Sequence, residues 1–150
     1  MLSGRLTQAT LRALDCLARQ TLTPDETPRH QQIGRRGEED AYFRLRRLGY
    51  IMVARNFRSP RCHGEIDLIG WDGDVLCFIE VKTRTSRDVK PPEAAVDWHK
   101  RREVAAVARE YLRHTPPTCQ WRFDIVSVYY GQSQGSQPQI EVFRNASLSA

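Results

Sequence analysis

Residues 64–84, GEIDLIGWDGDVLCFIEVKTR, carry charged side chains within an otherwise apolar stretch. The aliphatic and aromatic residues are typical of two strands, and the glycine and aspartates at the centre predict a tight turn between them. Because side chains alternate between the two faces of a strand, this turn decides which residues share a face. The predicted hairpin places four charged residues on one face: Glu65, Asp67, Glu80 and Lys82.

The turn has two alternative positions, which differ in register. With Asp72–Gly73 at the turn, Glu65 lies opposite Glu80. With Gly73–Asp74 at the turn, Asp67 lies opposite Glu80 instead. Both registers keep the four charged residues together and predict an apolar opposite face. That face comprises Ile66, Leu68, Cys77, Ile79 and Val81.

Four apolar residues extend the charged face towards the turn: Ile69, Trp71, Leu76 and Phe78. Both faces are therefore expected to be at least partly covered, and carboxylates on a covered face need a compensating partner. Burying an unpaired carboxylate costs several kcal/mol, and neighbouring carboxylates raise each other's pKa. A divalent cation compensates, since Mg²⁺ takes hard oxygen ligands. The alternative is a cluster of ion pairs in which Lys82 and nearby arginines neutralise the acids, but buried ion pairs add little net stability. We therefore expect Asp67 and Glu80 to hold Mg²⁺ or Mn²⁺.

Two predicted helices bring further charged groups towards this face. GRRGEEDAYFRLRRLGY predicts a helix that begins near Gly34 and ends at Gly49, and its expected core face comprises Ala41, Tyr42, Leu45 and Leu48. Glu38 projects on that side and can supply a third carboxylate. Lys100, one turn before Val104 on the second helix, can supply a second amine. A solvated position is the alternative for each.

These groups suit phosphodiester hydrolysis. A metal ion polarises the phosphate and lowers the pKa of an attacking water, and a nearby cation stabilises the developing negative charge. Asp67 and Glu80 would hold the metal, and Lys82 would orient or activate the water. Both one and two metal ions are compatible with this set of residues.

The order of elements predicts an α/β fold, αβββαβ, with a mixed central sheet flanked by helices. Strands are expected at 50–58 and 121–130, and 139–146 can form a fifth strand or a tail. A proline-bracketed helical region at 91–117, with a break near Asp97, should bury a stripe of Val104, Val107, Ala108, Tyr111 and Leu112. Residues 1–22 predict a short helix, and TPDETPRHQQ breaks it.

Composition limits the class of protein. The 150 residues suit one domain, and no apolar run reaches the roughly 18 to 20 residues that cross a bilayer. The start of the chain lacks the apolar core of a secretory signal, so we expect a cytoplasmic protein. The four cysteines form no CxxC pair and are expected to be free thiols, and a metal site at Cys62 and His63 is the less favoured alternative.

A longer set of motifs carries a resemblance to known proteins. GRRGEEDA, the Asn56–Arg58 tripeptide, GEIDLI, FIEVKTR, the Lys100 region and RFDIV together resemble the UPF0102 family, also called YraN. The spacing of Asp67, Glu80 and Lys82 on a hairpin, after a helix bearing Glu38, resembles that of the PD-(D/E)XK nuclease superfamily, and the UPF0102 family resembles archaeal Holliday-junction resolvases in fold. The motifs lie within about residues 31–130.

The resemblance implies a fold and a set of functional residues. It implies a restriction-endonuclease-like αβββαβ core over residues 31–146, preceded by an N-terminal extension and linker at 1–30. Glu38, Asp67, Glu80 and Lys82 match the catalytic pattern, and Asp67, Glu80 and Glu38 match its metal ligands. Three further residues match family motifs without an assigned role and are accessory candidates: Glu65, Lys100 and Asp124.

The charge of the chain favours an anionic partner. Its net charge is +5, and five basic residues near the hairpin ends and helix starts are candidate nucleic-acid contacts: Arg35, Arg58, Arg84, Lys100 and Arg101. We expect a DNA nuclease that acts on branched or structured substrates through the backbone or shape. The alternatives are a nucleic-acid-binding module without turnover and a purely structural role for the acids. Resolvase likeness also implies a homodimer.

Overall fold

The computed structural model describes residues 28–84, 98–131 and 137–146. These residues form two helices and five strands, which confirms the predicted α/β order and the fifth strand. In chain order the elements are α1 (Arg29–Arg47), β1 (Ile51–Phe57), β2 (Ile66–Asp72), β3 (Val75–Arg84), α2 (Trp98–Leu112), β4 (Gln120–Tyr129) and β5 (Gln139–Phe143). The predicted helix at 1–22 and most of the 1–30 extension lie outside the described residues.

The five strands form one mixed sheet in the order β1-β2-β3-β4-β5. Strands β1, β2 and β3 are antiparallel neighbours, β3 and β4 are parallel, and β5 is antiparallel to β4. A parallel pair needs a crossover connection, and α2 lies in the connection between β3 and β4. The mixed sheet expected from the element order is therefore confirmed.

The β2–β3 turn adopts the second of the two predicted registers. Asp72 pairs with Val75 across a two-residue loop, Gly73–Asp74. Gly73 has φ +59°, and a positive φ at the first loop position favours glycine in hairpin turns. Leu68 pairs with Ile79 in this register, so extending it by one residue brings Asp67 opposite Glu80.

Each face of the sheet packs against one helix. The face under α2 contains Ile69, Leu76, Phe78, Phe123 and Ile125, which pack with Val104, Val107 and Ala108 of the helix. The predicted stripe of α2 is confirmed, since Tyr111 and Leu112 also pack against this cluster. The face under α1 contains Leu68, Cys77, Ile79, Val126 and Val128, which pack with Ala41 and Leu45.

The predicted position of Ile66 is wrong. Ile66 is fully buried with the α2-side cluster rather than with Leu68 and Ile79 on the other face. It is the first residue of β2 and pairs with Phe57 at the last position of β1, which packs against the same cluster. Regular alternation therefore does not extend to this strand end.

The start and core face of α1 also differ from expectation. The helix begins at Arg29 rather than near Gly34, because Pro28 occupies the position before its first turn and the intervening residues accommodate a helix. Ala41 and Leu45 are buried as expected, but Leu48 is 40% exposed. It follows the last helical residue, and the chain then turns at Gly49, so Leu48 no longer faces the sheet.

In the described part of the chain, no helix combines the length and apolar character needed to cross a membrane.

Close packing of α1 on β3 depends on Gly37. An added Cβ at Gly37 would collide with the Thr83 side chain, so we expect Gly37→Ala to lower the free energy of unfolding by about 1 to 3 kcal/mol. Gly34→Ala in the same helix is the matched control, since nothing lies within 4 Å of an added Cβ there. The control should be neutral or stabilising by up to about 1 kcal/mol. Urea denaturation measures both, and equal stability of the two variants would contradict this packing.

Candidate functional site

Asp67 and Glu80 lie on neighbouring strands of the central hairpin, and both are buried. Asp67, the second residue of β2, is 7% exposed, and Glu80 of β3 is 3% exposed. The hairpin register brings them together, and the negative charge of Glu80 raises the pKa of Asp67. The structure therefore places two of the predicted metal-binding carboxylates next to each other.

Two lysines flank one carboxylate oxygen of Glu80. Lys82 Nζ donates a hydrogen bond to Glu80 Oε1 at 2.8 Å, and Lys100 Nζ lies 3.8 Å from the same oxygen. Glu80 Oε2 is buried and has no hydrogen-bond partner among the described residues. A buried polar atom without a partner costs about 1 to 3 kcal/mol, so such atoms are rare in folded proteins. This oxygen is therefore a candidate ligand-binding atom.

The carboxyl group of Asp67 has a raised pKa. Burial and then the charge of Glu80 raise its pKa to about 7, with a smaller contribution from Glu38. The backbone N–H of Val81, which donates to Asp67 Oδ2 at 2.8 Å, and the charge of Lys100 oppose the rise. These contacts only partly offset burial, so the site favours an additional cation.

Glu38 of α1 is half-buried and interacts electrostatically with Asp67. Its Oε2 accepts a hydrogen bond from Asn56 Nδ2 at 3.1 Å. Asn56 has φ +47°, a left-handed conformation that asparagine tolerates better than most residues. Sequence reasoning included Asn56 in a motif but did not identify it as a residue that positions Glu38.

The Asp67–Glu80 pair fits a hard divalent cation. Mg²⁺ commonly binds through one or two carboxylates together with waters and substrate phosphates. The two adjacent carboxylates meet that requirement, since Glu80 Oε2 has no hydrogen-bond partner within residues 28–84, 98–131 and 137–146. Within the described ranges, no group of three or more His, Cys, Asp or Glu side chains has a metal-binding arrangement. Glu38 therefore does not form a three-carboxylate metal site with Asp67 and Glu80. Cys62 and His63 likewise belong to no such group.

Of the accessory candidates, Lys100 and Glu65 lie near the pair. Lys100 reaches Glu80 from α2, and Glu65 lies two residues before Asp67. Glu65 Oε2 accepts a hydrogen bond from Arg58 Nε at 2.7 Å, so it is paired with a predicted nucleic-acid contact. The Arg58 side chain remains 74% exposed.

Asp124 lies away from the carboxylate pair, on the opposite face of the sheet. It pairs in register with Ile79 of the α1-side face and is fully buried. Its carboxylate accepts hydrogen bonds from Arg122 Nε at 2.9 Å and from the Asn145 backbone N–H at 2.9 Å, and the Tyr50 hydroxyl donates to it at 3.3 Å. This network joins β4 to the segment after β5. Sequence reasoning missed Arg122 and Tyr50, although Arg122 lies two residues before Asp124 and therefore shares its face.

The remaining predicted nucleic-acid contacts have different environments. Arg35 is exposed on α1, and Arg101 is half-buried on α2. Arg84 lies at the end of β3, two residues after Lys82, and its Nε and Nη2 atoms are buried with no hydrogen-bond partner in the described part of the chain. Unpaired guanidinium donors suit planar anions such as phosphate.

Comparison with known proteins identifies the family. Residues 37–128 match the model of the uncharacterised protein family UPF0102. A UPF0102 protein of Koribacter versatilis is 51% identical over 142 residues, which cover 95% of this chain and 94% of that protein. The chain belongs to the UPF0102 family. A relative in Solibacter usitatus is 48% identical, and the match covers 75% of this chain and 83% of that protein. A relative in Rhodococcus opacus is 40% identical, and the match covers 76% of this chain and 94% of that protein.

The UPF0102 match encloses the site. The family model begins one residue before Glu38 and ends after Asp124, so it includes the predicted catalytic, metal and accessory residues. The resemblance read from the sequence motifs is therefore confirmed at the level of the family. The Koribacter match also extends into residues 1–30, which precede the family model.

The raised pKa of Asp67 predicts a pH-dependent effect of Asp67→Asn. Because the folded protein holds this proton until about pH 7, against an ordinary pKa of 3.8, wild-type stability should fall as pH rises from about 4 to 7 and then level off. The variant lacks this loss but keeps an acceptor for the Val81 N–H. Its free energy of unfolding relative to wild type should rise by up to a few kcal/mol over this window, since one pKa unit is about 1.4 kcal/mol.

Urea denaturation of both proteins at several pH values in the presence of a chelator measures this difference. The variant-minus-wild-type comparison removes the contribution of titrating groups common to both proteins. A difference that stays constant from pH 4 to pH 8 would contradict the buried, proton-binding state of Asp67.

Proposed function

We propose that the protein is a divalent-metal-dependent nuclease of PD-(D/E)XK type that hydrolyses phosphodiester bonds in DNA, branched or structured DNA included. The observation that carries the proposal is the buried Glu80 Oε2 beside Asp67, which has no hydrogen-bond partner among the described residues, with Lys82 and Lys100 on the other oxygen. The two carboxylates can bind a cation, and the two neighbouring amines can bind a phosphate.

The residues of the site have distinct roles in this proposal. Asp67 and Glu80 supply oxygen ligands for Mg²⁺ or Mn²⁺, and Glu38 contributes to the negative potential around them. When bound, the ion would polarise the phosphate and lower the pKa of the attacking water. Lys82, held 2.8 Å from Glu80, orients that water and stabilises the charge that develops on the phosphate oxygens. Lys100 provides a second positive charge on the α2 side.

Arg84 supports a polyanionic substrate. Side chains at alternate positions of a strand share a face, so Arg84 follows Glu80 and Lys82 along the site face of β3. Its buried Nε and Nη2 atoms have no partner among the residues described, and a phosphate next to the cleaved one would satisfy them. Arg35 and Arg101 remain proposed contacts on the two helices.

A nucleic-acid-binding module without turnover is the second candidate. It is favoured by the contacts of Lys82 and Lys100 with Glu80, which partly neutralise this carboxylate without a metal ion. In this candidate the lysines and Arg84 would bind phosphates, and Asp67, with a pKa of about 7, would be only partly ionised near neutral pH. Turnover distinguishes the two candidates.

We also propose a cytoplasmic location. The resolvase resemblance further implies a symmetric homodimer. Two copies related by a two-fold axis would present two Asp67–Glu80 pairs to a branched substrate.

Cleavage of labelled DNA tests the nuclease proposal. Linear, single-stranded, flapped and four-way-junction DNA, and RNA, are incubated with Mg²⁺ or Mn²⁺ and with wild type, Asp67→Ala or Lys82→Ala purified identically. We expect metal-dependent cleavage of DNA that Asp67→Ala abolishes and Lys82→Ala lowers by about 100-fold or more, since each loses a group that acts on the reacting phosphate.

Glu141→Gln is the matched control for loss of a carboxylate. Glu141 lies on β5 and bonds with Gln139 within the same strand, so this variant should cleave like wild type. Cleavage by both alanine variants would indicate a contaminating nuclease. Salt-sensitive DNA binding without cleavage by the wild type would select the binding module instead.

Metal binding is expected to stabilise the protein at pH 8, where Asp67 is mostly ionised. Millimolar Mg²⁺ should raise the Tm of the wild type by a few degrees, because a ligand that binds only the folded state stabilises it. Glu80→Gln and Asp67→Asn should lose this shift, and Glu141→Gln should keep it. Equal shifts in all four proteins would place the ion elsewhere.

A further inference from the structure

A groove lies beside the carboxylate pair and has a volume of about 360 Å³. Its wall on one side is the connection from β1 to β2, and the start of α2 contributes the other. The lining residues are Arg58, Ser59, Cys62, His63, Gly64, Glu65 and Lys100. Small-molecule sites commonly occupy roughly 300 to 1,000 Å³, so the groove has room for a unit the size of a nucleotide.

Lys100 connects the groove with the carboxylate pair. Its side chain lines the groove, and its ammonium lies 3.8 Å from Glu80 Oε1. Glu65 lines the same groove and lies two residues before Asp67. A DNA strand whose phosphate reaches the pair would therefore carry a neighbouring nucleotide to the mouth of the groove.

The chemistry of the groove matches the parts of a nucleotide. Arg58 and Lys100 place two positively charged groups in the lining of the groove, and each can turn towards a phosphate. Glu65 holds the Arg58 guanidinium through Nε at 2.7 Å, which positions an arginine that is otherwise 74% exposed. Cys62 packs against the core cluster under α2, and the exposed His63 offers a ring on which a base can stack.

Gly64 gives the groove its shape. Its φ of +104° lies in the region that favours glycine, and an added Cβ would meet Glu103 Cβ at 2.9 Å. The β1–β2 connection therefore approaches α2 more closely than a residue with a side chain would permit, so the two walls of the groove come together at Gly64.

We propose that this groove binds one nucleotide of the DNA strand, adjacent to the phosphodiester held at Asp67 and Glu80. The Arg58 guanidinium contacts the phosphate of that nucleotide, and the surface of Cys62 and His63 receives its sugar and base. The inference rests on the proposed function for the position of the cleaved phosphate. Binding in the groove itself requires neither metal nor turnover.

The test uses a thymidine dinucleotide with a 5′-phosphate, added to the full chain in a chelator that prevents cleavage. Backbone amide chemical shifts map its binding by NMR. We expect shifts at residues 58–65 and Lys100, and about tenfold weaker binding in Arg58→Gln, the typical effect of losing one hydrogen bond to a charged group.

Arg46→Gln is the matched control, since Arg46 is likewise an exposed arginine that contacts a neighbouring side chain, the Tyr42 ring, but lies on α1, which packs on the other face of the sheet. It should bind the dinucleotide like wild type, and its folding and that of Arg58→Gln can be compared by their amide spectra. If dinucleotide binding weakened equally in both variants, the effect of Arg58→Gln would reflect the loss of one positive charge anywhere on the protein, and the groove assignment would be overturned.

Inorganic phosphate at the same concentration separates a nucleotide site from a simple anion site. Weaker and fewer shifts with phosphate support the proposal, whereas identical shifts would overturn it. Absence of dinucleotide-induced shifts at residues 58–65 would overturn it even if the protein cleaves DNA. Groove binding by a protein that cleaves none of the tested substrates would retain the groove and refute the nuclease proposal.

Discussion

The close burial of Asp67 and Glu80 on one hairpin is the constraint on which the rest of the structure depends. Two neighbouring carboxylates lose hydration and repel each other, and the Val81 N–H, Lys82 and Lys100 offset only part of that cost. Lys100 reaches Glu80 because α2 lies in the crossover between the parallel strands β3 and β4. The topology of the sheet thus adds a second positive charge to the one that Lys82 supplies from the hairpin.

Buried charged side chains differ in their hydrogen bonding between the two faces of the sheet. On the α1 side, both oxygens of Asp124 accept hydrogen bonds from neighbouring groups, including Arg122 and the Asn145 N–H. On the α2 side, Glu80 Oε2 has no partner in the described residues, and at the end of the same strand neither do two nitrogens of Arg84. Satisfied buried networks stabilise one arrangement of a fold, whereas unsatisfied buried atoms are candidates for ligand contacts. This contrast distinguishes Asp124, whose oxygens are satisfied by the fold, from the Asp67–Glu80 pair, for which we propose a ligand.

Period-two alternation and one glycine turn were sufficient to predict that Asp67, Glu80 and Lys82 share a site, because a tight hairpin couples two strands through very few residues. The same reasoning was wrong at Ile66, where regular alternation ends, and at Leu48, where the helix has already ended. The same reasoning could not predict which face of the sheet Asp124 occupies. Its strand is joined to the hairpin through a helical crossover, so local alternation does not define which face of the shared sheet it occupies.

The amino-acid sequence was therefore enough to predict the family motifs, the order of helices and strands, and the proximity of Asp67, Glu80 and Lys82, since each depends on short-range periodicity and spacing. Long-range packing was needed to place Asp124 on the opposite face and to leave Glu80 Oε2 without a hydrogen-bond partner among the described residues. It also brought the β1–β2 connection against α2 at Gly64 and so formed the groove. These features depend on contacts between residues far apart in the chain, which local alternation cannot specify.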